Sequence, residues 1–199
     1  LPKATYQGIS FVDAMFTSTS AVCVTGLIVV DTSSYFTSFG QTLIMLLIQA
    51  GGLGILTFAS YFSYFFKGGS TYENQLALSD MTNSEKIGEV FTTVKRILTI
   101  TFLIEFIGAI LIFFNLDKAL IPSLSERVYF SVFHSISAFC NAGFSTLPNG
   151  MMEASYVYNY PLQFIIVVIF VFGGLGFPIV INSVRYIKHL IARYILWFV

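Results

Sequence analysis

Ser18-Thr19-Ser20-Ala21-Val22-Cys23-Val24-Thr25-Gly26 and Ser135-Ile136-Ser137-Ala138-Phe139-Cys140-Asn141-Ala142-Gly143 decide the fold, because they are two spellings of one phrase. A phenylalanine precedes each, Phe16 and Phe133. A long uncharged run follows each and carries Gly51-Gly52-Leu53-Gly54 in the first case and Gly173-Gly174-Leu175-Gly176 in the second. The phrases stand 117 positions apart (143 − 26) and the glycine runs 122 apart (173 − 51). A duplication this long in so apolar a chain points to repeats set around a pore or binding site in a membrane.

Composition supports lipid as the solvent. Of 199 residues, 56% are hydrophobic and 10% are charged. A soluble domain carries about 25% charged residues, so this chain cannot cover a surface in water with polar groups. Zero net charge and the lack of any Lys/Arg cluster argue against a nucleic-acid partner. Cys23 and Cys140 occupy equivalent places in the repeats. A disulfide between them is open, as is the plainer role of a small residue packed beside a helix. Zinc is not, since no further Cys or close His completes a site. The sequence begins at Leu1 without Met and shows no signal peptide. It is expected to be a piece of a longer protein.

Uncharged runs place the spanning helices. Roughly 20 apolar residues cross a bilayer core, and segments 39–66, 97–115 and 161–184 meet that length. The repeat phrases behave differently. Residues 9–26 and 127–143 are rich in Ser, Thr and Ala and reach glycine early. About 12 helical residues rise some 18 Å, around half the membrane. Polar residues then follow, Asp31-Thr32-Ser33-Ser34 and Ser145-Thr146-Leu147-Pro148-Asn149-Gly150. A short helix that enters, stops at glycine and returns to the same side is a re-entrant loop, tolerated at that depth where it lines a water-filled cavity or is buried in protein. An interfacial amphipathic helix is the alternative for either segment alone; the recurrence favours the loop.

The expected organisation is therefore all-α and integral to the membrane, with tandem helix–re-entrant pore loop–helix repeats left incomplete in this chain. The first repeat, 1–66, lacks its leading helix and comprises half-helix 9–23, filter loop 24–30 and spanning helix 39–66. A linker occupies 67–96. The second repeat, 97–184, comprises spanning helix 97–115, half-helix 127–140, filter loop 141–147 and spanning helix 161–184. A tail, 185–199, closes the chain. Lys67, Lys86, Lys95, Arg96, Arg185, Lys188 and Arg193 outnumber Lys3, Lys118 and Arg127. Positive residues favour the cytoplasm, which places linker and tail there and both loop mouths outside. The tail reads as an interfacial helix or as the start of a further span.

A half-helix ending at glycine presents unpaired carbonyls and partial negative charge. The stretch after it, Val24-Thr25-Gly26-Leu27 or Asn141-Ala142-Gly143-Phe144, can aim successive carbonyl oxygens at an axis, and glycine permits the positive φ such aiming needs. Rings of carbonyls that replace a hydration shell are how potassium filters work. An anion would want helix N-termini or basic side chains, and neither loop holds a basic residue.

On these residues the chain resembles a known family. Thr19 to Thr32, with Phe39-Gly40-Gln41 and Gln49-Ala50-Gly51-Gly52-Leu53-Gly54, is similar to the first repeat of the Trk/Ktr/HKT potassium transporters. Phe133-His134-Ser135-Ile136-Ser137-Ala138-Phe139-Cys140-Asn141-Ala142-Gly143-Phe144-Ser145 is similar to the second. Thr-Gly-Leu followed by Ala-Gly-Phe resembles the Ktr-type membrane subunit more than the plant HKT type. The resemblance implies four potassium-channel-like repeats around one pore, with one glycine per filter loop, here Gly26 and Gly143. It also implies a homodimer in the plasma membrane, a cytoplasmic nucleotide-binding regulatory subunit, and potassium as the transported ion with no cofactor. The third and fourth loops and the gating segment would lie in remaining repeats after Val199.

The expected ion ligands are thus the main-chain oxygens of Val24, Thr25, Gly26, Leu27, Asn141, Ala142, Gly143 and Phe144, with Glu105 and Asp31 as secondary candidates. Glu105 is an acid in mid-span, either functional or satisfied by a neighbouring helix. Asp13 and Asp31 flank the first loop and either concentrate cations or are solvated surface. His134 reads as a packed, hydrogen-bonded histidine and Asn141 as a brace for its loop. The Gly-Gly-Leu-Gly runs either admit close helix approach or act as hinges, the second with help from Pro178. An enzyme would need a nucleophile and base at matching depth. Ser18, Ser20, Ser135, Ser137 and His134 supply atoms, but the phrase recurs with Thr17 in place of histidine, which argues against catalysis. A non-transporting scaffold gives no reason for two re-entrant loops.

Overall fold

The computed structural model describes residues 2–67 and 84–175, together with Ile179 and Tyr186. The expected tail, apart from Tyr186, and the linker from 68 to 83 lie outside the described residues. A 3-10 turn at Pro2–Ala4 precedes α1 (Phe11–Val22) and a single-turn α2 (Thr32–Tyr35). Then come α3 (Ser38–Lys67), α4 (Ser84–Asn115), α5 (Leu124–Phe139), a 3-10 turn at Gly150–Met152 and α6 (Tyr160–Gly174). The described residues are all-α, with one isolated antiparallel bridge between Thr5 and Phe36.

Capping explains where the short helices begin. The Ser10 hydroxyl oxygen accepts from the Asp13 N–H and its hydrogen goes to the Asp13 carboxylate, a reciprocal cap that fixes the start of α1. Ser123 does the same service for α5 through the N–H of Glu126. Asp13 and Glu126 then sit in the positive first turns of their helices. α1 has 12 residues and α5 has 16, lengths of about 18 and 24 Å. By contrast α3 has 30 residues and α4 has 32. Ser38–Ile55 and Val94–Asn115 are apolar and long enough to cross a membrane.

α4 starts at Ser84, inside the segment expected as linker. Glu85, Lys86, Glu89, Lys95 and Arg96 end an apolar run, yet Glu, Lys and Arg are good helix formers, so charge ends the lipid-soluble stretch without ending the helix. Within the apolar part the pattern is inside out. Ile97, Thr101, Glu105 and Ile112 are buried, along one stripe at helical spacing. Phe102, Leu103, Phe106, Ile107, Ile110 and Phe114 face outward. Polar groups within and phenylalanine without is the arrangement lipid selects.

Both short helices begin and end their excursions at one place. Thr37 N–H donates to the Ala4 carbonyl (3.0 Å) and Tyr6 N–H to the Tyr35 carbonyl (3.2 Å), so the chain entering α1 runs beside the chain that has come back from it. In the second half the Asn159 amide donates to the Asn115 carbonyl at 3.0 Å, joining the start of α6 to the end of α4 around α5. The two halves meet where the Tyr129 hydroxyl of α5 stands 3.3 Å from that of Thr42 on α3.

Two glycines set the packing. α1 lies on α3, and α5 lies on α4, α6 and α3. A Cβ at Gly51 would fall 1.8 Å from the Val22 carbonyl oxygen, and one at Gly173 would fall 1.8 Å from that of Phe139. Val22 and Phe139 are the last residues of α1 and α5. Each long helix therefore passes the end of its short helix with backbone against backbone, and a glycine α-hydrogen aimed at the terminal carbonyl, a weak hydrogen bond. The first glycine of each Gly-Gly-Leu-Gly run serves close approach, as one of its two sequence readings proposes.

Helix propensity alone favours alanine over glycine by roughly 1 kcal/mol. Gly51→Ala and Gly173→Ala should instead destabilise the full-length protein by about 1–3 kcal/mol, the usual cost of overpacking. Gly54→Ala, where no atom of another described element lies within 4 Å of the added carbon, should not. Melting temperatures in detergent measure this; a rise at Gly51→Ala or Gly173→Ala would contradict the contact.

Candidate functional site: two glycine loops at the ends of the short helices

The short helices stop before their glycines, not at them. The Cys23 N–H reaches the Thr19 and Ala21 carbonyls, and the Cys140 N–H those of Ile136 and Ala138. Val24 and Asn141 then turn left-handed, with φ of 56° and 60°. Val24 N–H donates to Ala21 (3.2 Å) and Thr25 N–H to Ser20 (2.9 Å); Asn141 N–H donates to Ala138 (3.0 Å) and Ala142 N–H to Ser137 (2.8 Å). This is the Schellman closure, built twice in one register. Val24 carries it at a cost, since a left-handed β-branched residue is strained by about 1–2 kcal/mol. Asparagine tolerates the same φ better.

Gly26 and Gly143 are left-handed as well, at φ 74° and 72°, a geometry glycine adopts freely. They meet. A Cβ at Gly143 would lie 3.7 Å from the Gly26 Cα, and one at Gly26 would lie 2.5 Å from the Ala142 carbonyl oxygen. Around this junction the carbonyls of Val24, Thr25, Gly26, Asn141, Ala142 and Gly143 accept no hydrogen bond from any described residue. Those of Leu27 and Phe144, the other two expected ligands, do accept: from the Ser20 hydroxyl at 2.7 Å and the Ser137 hydroxyl at 2.6 Å. Two helix C-termini, each with partial negative charge, converge on the same spot.

The remaining candidates sit apart from the junction. Glu105 is buried on α4, where its main-chain carbonyl accepts from the Ser135 hydroxyl (2.7 Å) and Gln49 of α3 is its polar neighbour. Its Oε1 has no hydrogen-bond partner among the described residues. Asp31 caps α2: its Oδ1 accepts from the N–H groups of Ser33 (3.0 Å) and Ser34 (2.8 Å) and from both hydroxyls. His134 is fully occupied. Its Nδ1 lies 2.9 Å from the Phe130 carbonyl, which can only accept, so Nδ1 bears the proton and Nε2 accepts from the Ser145 hydroxyl at 2.9 Å. With its amide oriented so that nitrogen faces the Phe170 carbonyl (3.1 Å) and oxygen the Gly174 N–H (3.2 Å), the assignment that pairs donors with acceptors, the Asn141 side chain satisfies both ends. In that orientation it ties the second loop to α6. Both cysteines are free, Cys140 against Gly52 and Cys23 exposed. No three metal-ligating side chains cluster among the described residues.

Residues 3–196 match the TrkH family model, described as cation transport protein. The chain belongs to the TrkH family of cation transport proteins, within the Trk/Ktr/HKT superfamily. It is 39% identical over 187 residues to the Ktr system potassium uptake protein B of Bacillus subtilis (strain 168), covering 93% of this chain and 41% of that protein. It is 37% identical to the Ktr system potassium uptake protein B of Vibrio alginolyticus, over 90% of this chain and 39% of that one. A third relative is the potassium/sodium uptake protein NtpJ of Enterococcus hirae, 36% identical over 84% of this chain and 36% of its own length. The chain thus spans about two fifths of the relatives it matches.

In this TrkH-family chain Ser20 and Ser137 support the loops, and their one signal in the sequence is their identity across the repeats. Asp31 acts as a helix cap. Burial disfavours the Asp31 charge, but the serine donors outweigh it and hold the carboxyl below the ordinary carboxylate range. A carboxyl depressed in the folded state contributes stability above its unfolded value, near 4, and loses it as pH falls through the folded value. Asp31→Ala should cost about 1 kcal/mol at neutral pH, the usual worth of such a cap. The deficit in melting temperature should fade below about pH 4; one that stays constant with pH would contradict the cap.

Proposed function

We propose that the chain forms part of a potassium transporter of the plasma membrane, in which loops 24–30 and 141–147 are re-entrant and lend main-chain oxygens to an ion path. One observation carries this reading: Gly26 and Gly143 approach closely at the converging C-termini of two short helices, amid carbonyls without donors among the described residues. A dehydrating cation needs oxygens that nothing else occupies and a negative local potential. The pairing of 4–6 with 35–37, and of Asn115 with Asn159, supports return of each loop to its starting side. The names of the relatives, potassium uptake and potassium/sodium uptake proteins, support the cargo.

In this reading Val24, Thr25, Gly26, Asn141, Ala142 and Gly143 supply the ligands. Leu27 and Phe144, whose oxygens are engaged by serine, bound the path instead. The remaining repeats of the full-length protein complete the ring. Glu105 and Asp31 lie outside the direct ligand set. The inside-out α4 seats the chain against lipid, with the linker and tail cytoplasmic. A homodimer and a cytoplasmic nucleotide-binding regulatory subunit complete the assembly that the family implies.

The two glycines should respond differently to substitution in the full-length protein. Gly26→Ser drives a side chain into the Ala142 carbonyl and should cut the yield of folded protein. Gly143→Ser is strained by the positive φ of 72° but meets no atom of the described residues nearer than 3.7 Å, and should fold at reduced stability while losing potassium preference over sodium. Rubidium and sodium flux into liposomes measures it. Unchanged selectivity at Gly143→Ser, or no rubidium flux through the unaltered protein, would contradict the reading.

A further inference from the structure

We infer that Ser20 and Ser137 are positioning residues that set the selectivity of the ion path by clamping each loop shut behind its glycine. The inference rests on the reading of the two loops as an ion path and deepens it. Ser20 sits in the last turn of α1 and its hydroxyl donates to the Leu27 carbonyl at 2.7 Å. Ser137 sits in the last turn of α5 and its hydroxyl donates to the Phe144 carbonyl at 2.6 Å. Both serines are buried, at 4% and 3% exposure. Donor and acceptor are shifted between the repeats by the same interval, so the bond is a feature of the repeat and not of one loop.

The two bonds in each half act as a bracket. On one side the serine's own carbonyl accepts from the N–H of Thr25 or Ala142, closing the helix. On the other its hydroxyl grips the carbonyl just past the glycine. One serine thus holds the segment from both ends, and the three carbonyls between are left without donors among the described residues. The grip turns the fourth carbonyl toward the helix and away from the junction. Without it, the Leu27 or Phe144 oxygen would be an unpaired acceptor, free to swing, and the preceding peptide would rotate with it. In both segments that peptide joins the glycine to its successor, so the oxygen that rotates is the one beside the ion path.

The halves differ in how firmly they are braced. The Thr25 hydroxyl donates to the Ser20 oxygen at 2.9 Å, making a relay from Thr25 through Ser20 to Leu27. Such chained bonds strengthen one another. The second loop has Ala142 in that place and gains its extra support from Ser145 on His134 instead. Each clamp therefore has one auxiliary, from a different side chain.

The test uses the full-length transporter in liposomes and reads the ratio of rubidium to sodium flux per folded protein. Ser20→Ala and Ser137→Ala should each lower that ratio threefold to tenfold, on the order of one hydrogen bond's net worth. Ser20→Cys and Ser137→Cys keep the packing with only a weak donor, and should lower it too, which covers failure of an alanine variant to fold. A side chain that merely fills space would change yield and melting temperature while leaving the ratio alone. A wild-type ratio in all folded serine variants, with the ratio shifted in Gly143→Ser, would overturn the clamp and leave the loop reading standing. A wild-type ratio in Gly143→Ser as well would overturn both.

Discussion

Every helix end leaves carbonyls without partners inside the helix, and the rest of this structure depends on how those at the ends of α1 and α5 are handled. A main-chain carbonyl shut away from solvent without a donor costs free energy comparable to a lost hydrogen bond, so a packed terminus must be closed by protein. The closure here uses main-chain N–H groups of the next residues for most carbonyls and a glycine of the neighbouring helix for the last. That last contact requires a bare α-carbon at 51 and 173. The interhelix spacing, the placement of the loops and the convergence of two negative helix ends follow from it.

Duplication makes the shared constraints visible. Between Ser20 and Leu27 and between Ser137 and Phe144 the residues held in common are Ser, Ala, Cys and Gly. Serine closes and clamps, cysteine caps, and glycine takes the left-handed turn. The positions that differ carry the individuality of each half. Asn141 reaches into α6, whereas Val24 at the same place is apolar and strained. His134 finds Ser145, whereas Thr17 at the matching place is buried with its hydroxyl unpartnered among the described residues. The first loop is braced instead by Thr25 on Ser20, so the halves hold their loops through different side chains.

Much of this was legible in the sequence because lipid leaves plain signals: long uncharged runs for α3 and α4, and short serine-rich ones for α1 and α5. The glycine runs announced close approach. Boundaries were less legible. Charge marks the edge of an apolar stretch but not the end of a helix, so the stretch 97–115 is legible while the extension of α4 back to Ser84 is not. Glycine marks one left-handed residue of each loop; the first left-handed residue is Val24 or Asn141, which side-chain chemistry does not announce. The serine clamps were hidden for another reason. A hydroxyl that bonds a carbonyl seven residues on leaves no periodic trace, and only comparison of the two halves reveals it.

The most direct measurement is the position of a heavy potassium substitute in the full-length protein. Crystals grown with rubidium or thallium, with anomalous scattering collected at the metal's edge, would locate it. The account predicts a peak at the junction of Gly26 and Gly143, in contact with main-chain oxygens of both loops. A peak bound only by side-chain carboxylates such as Glu105 or Asp31, with the glycine junction empty, would contradict it.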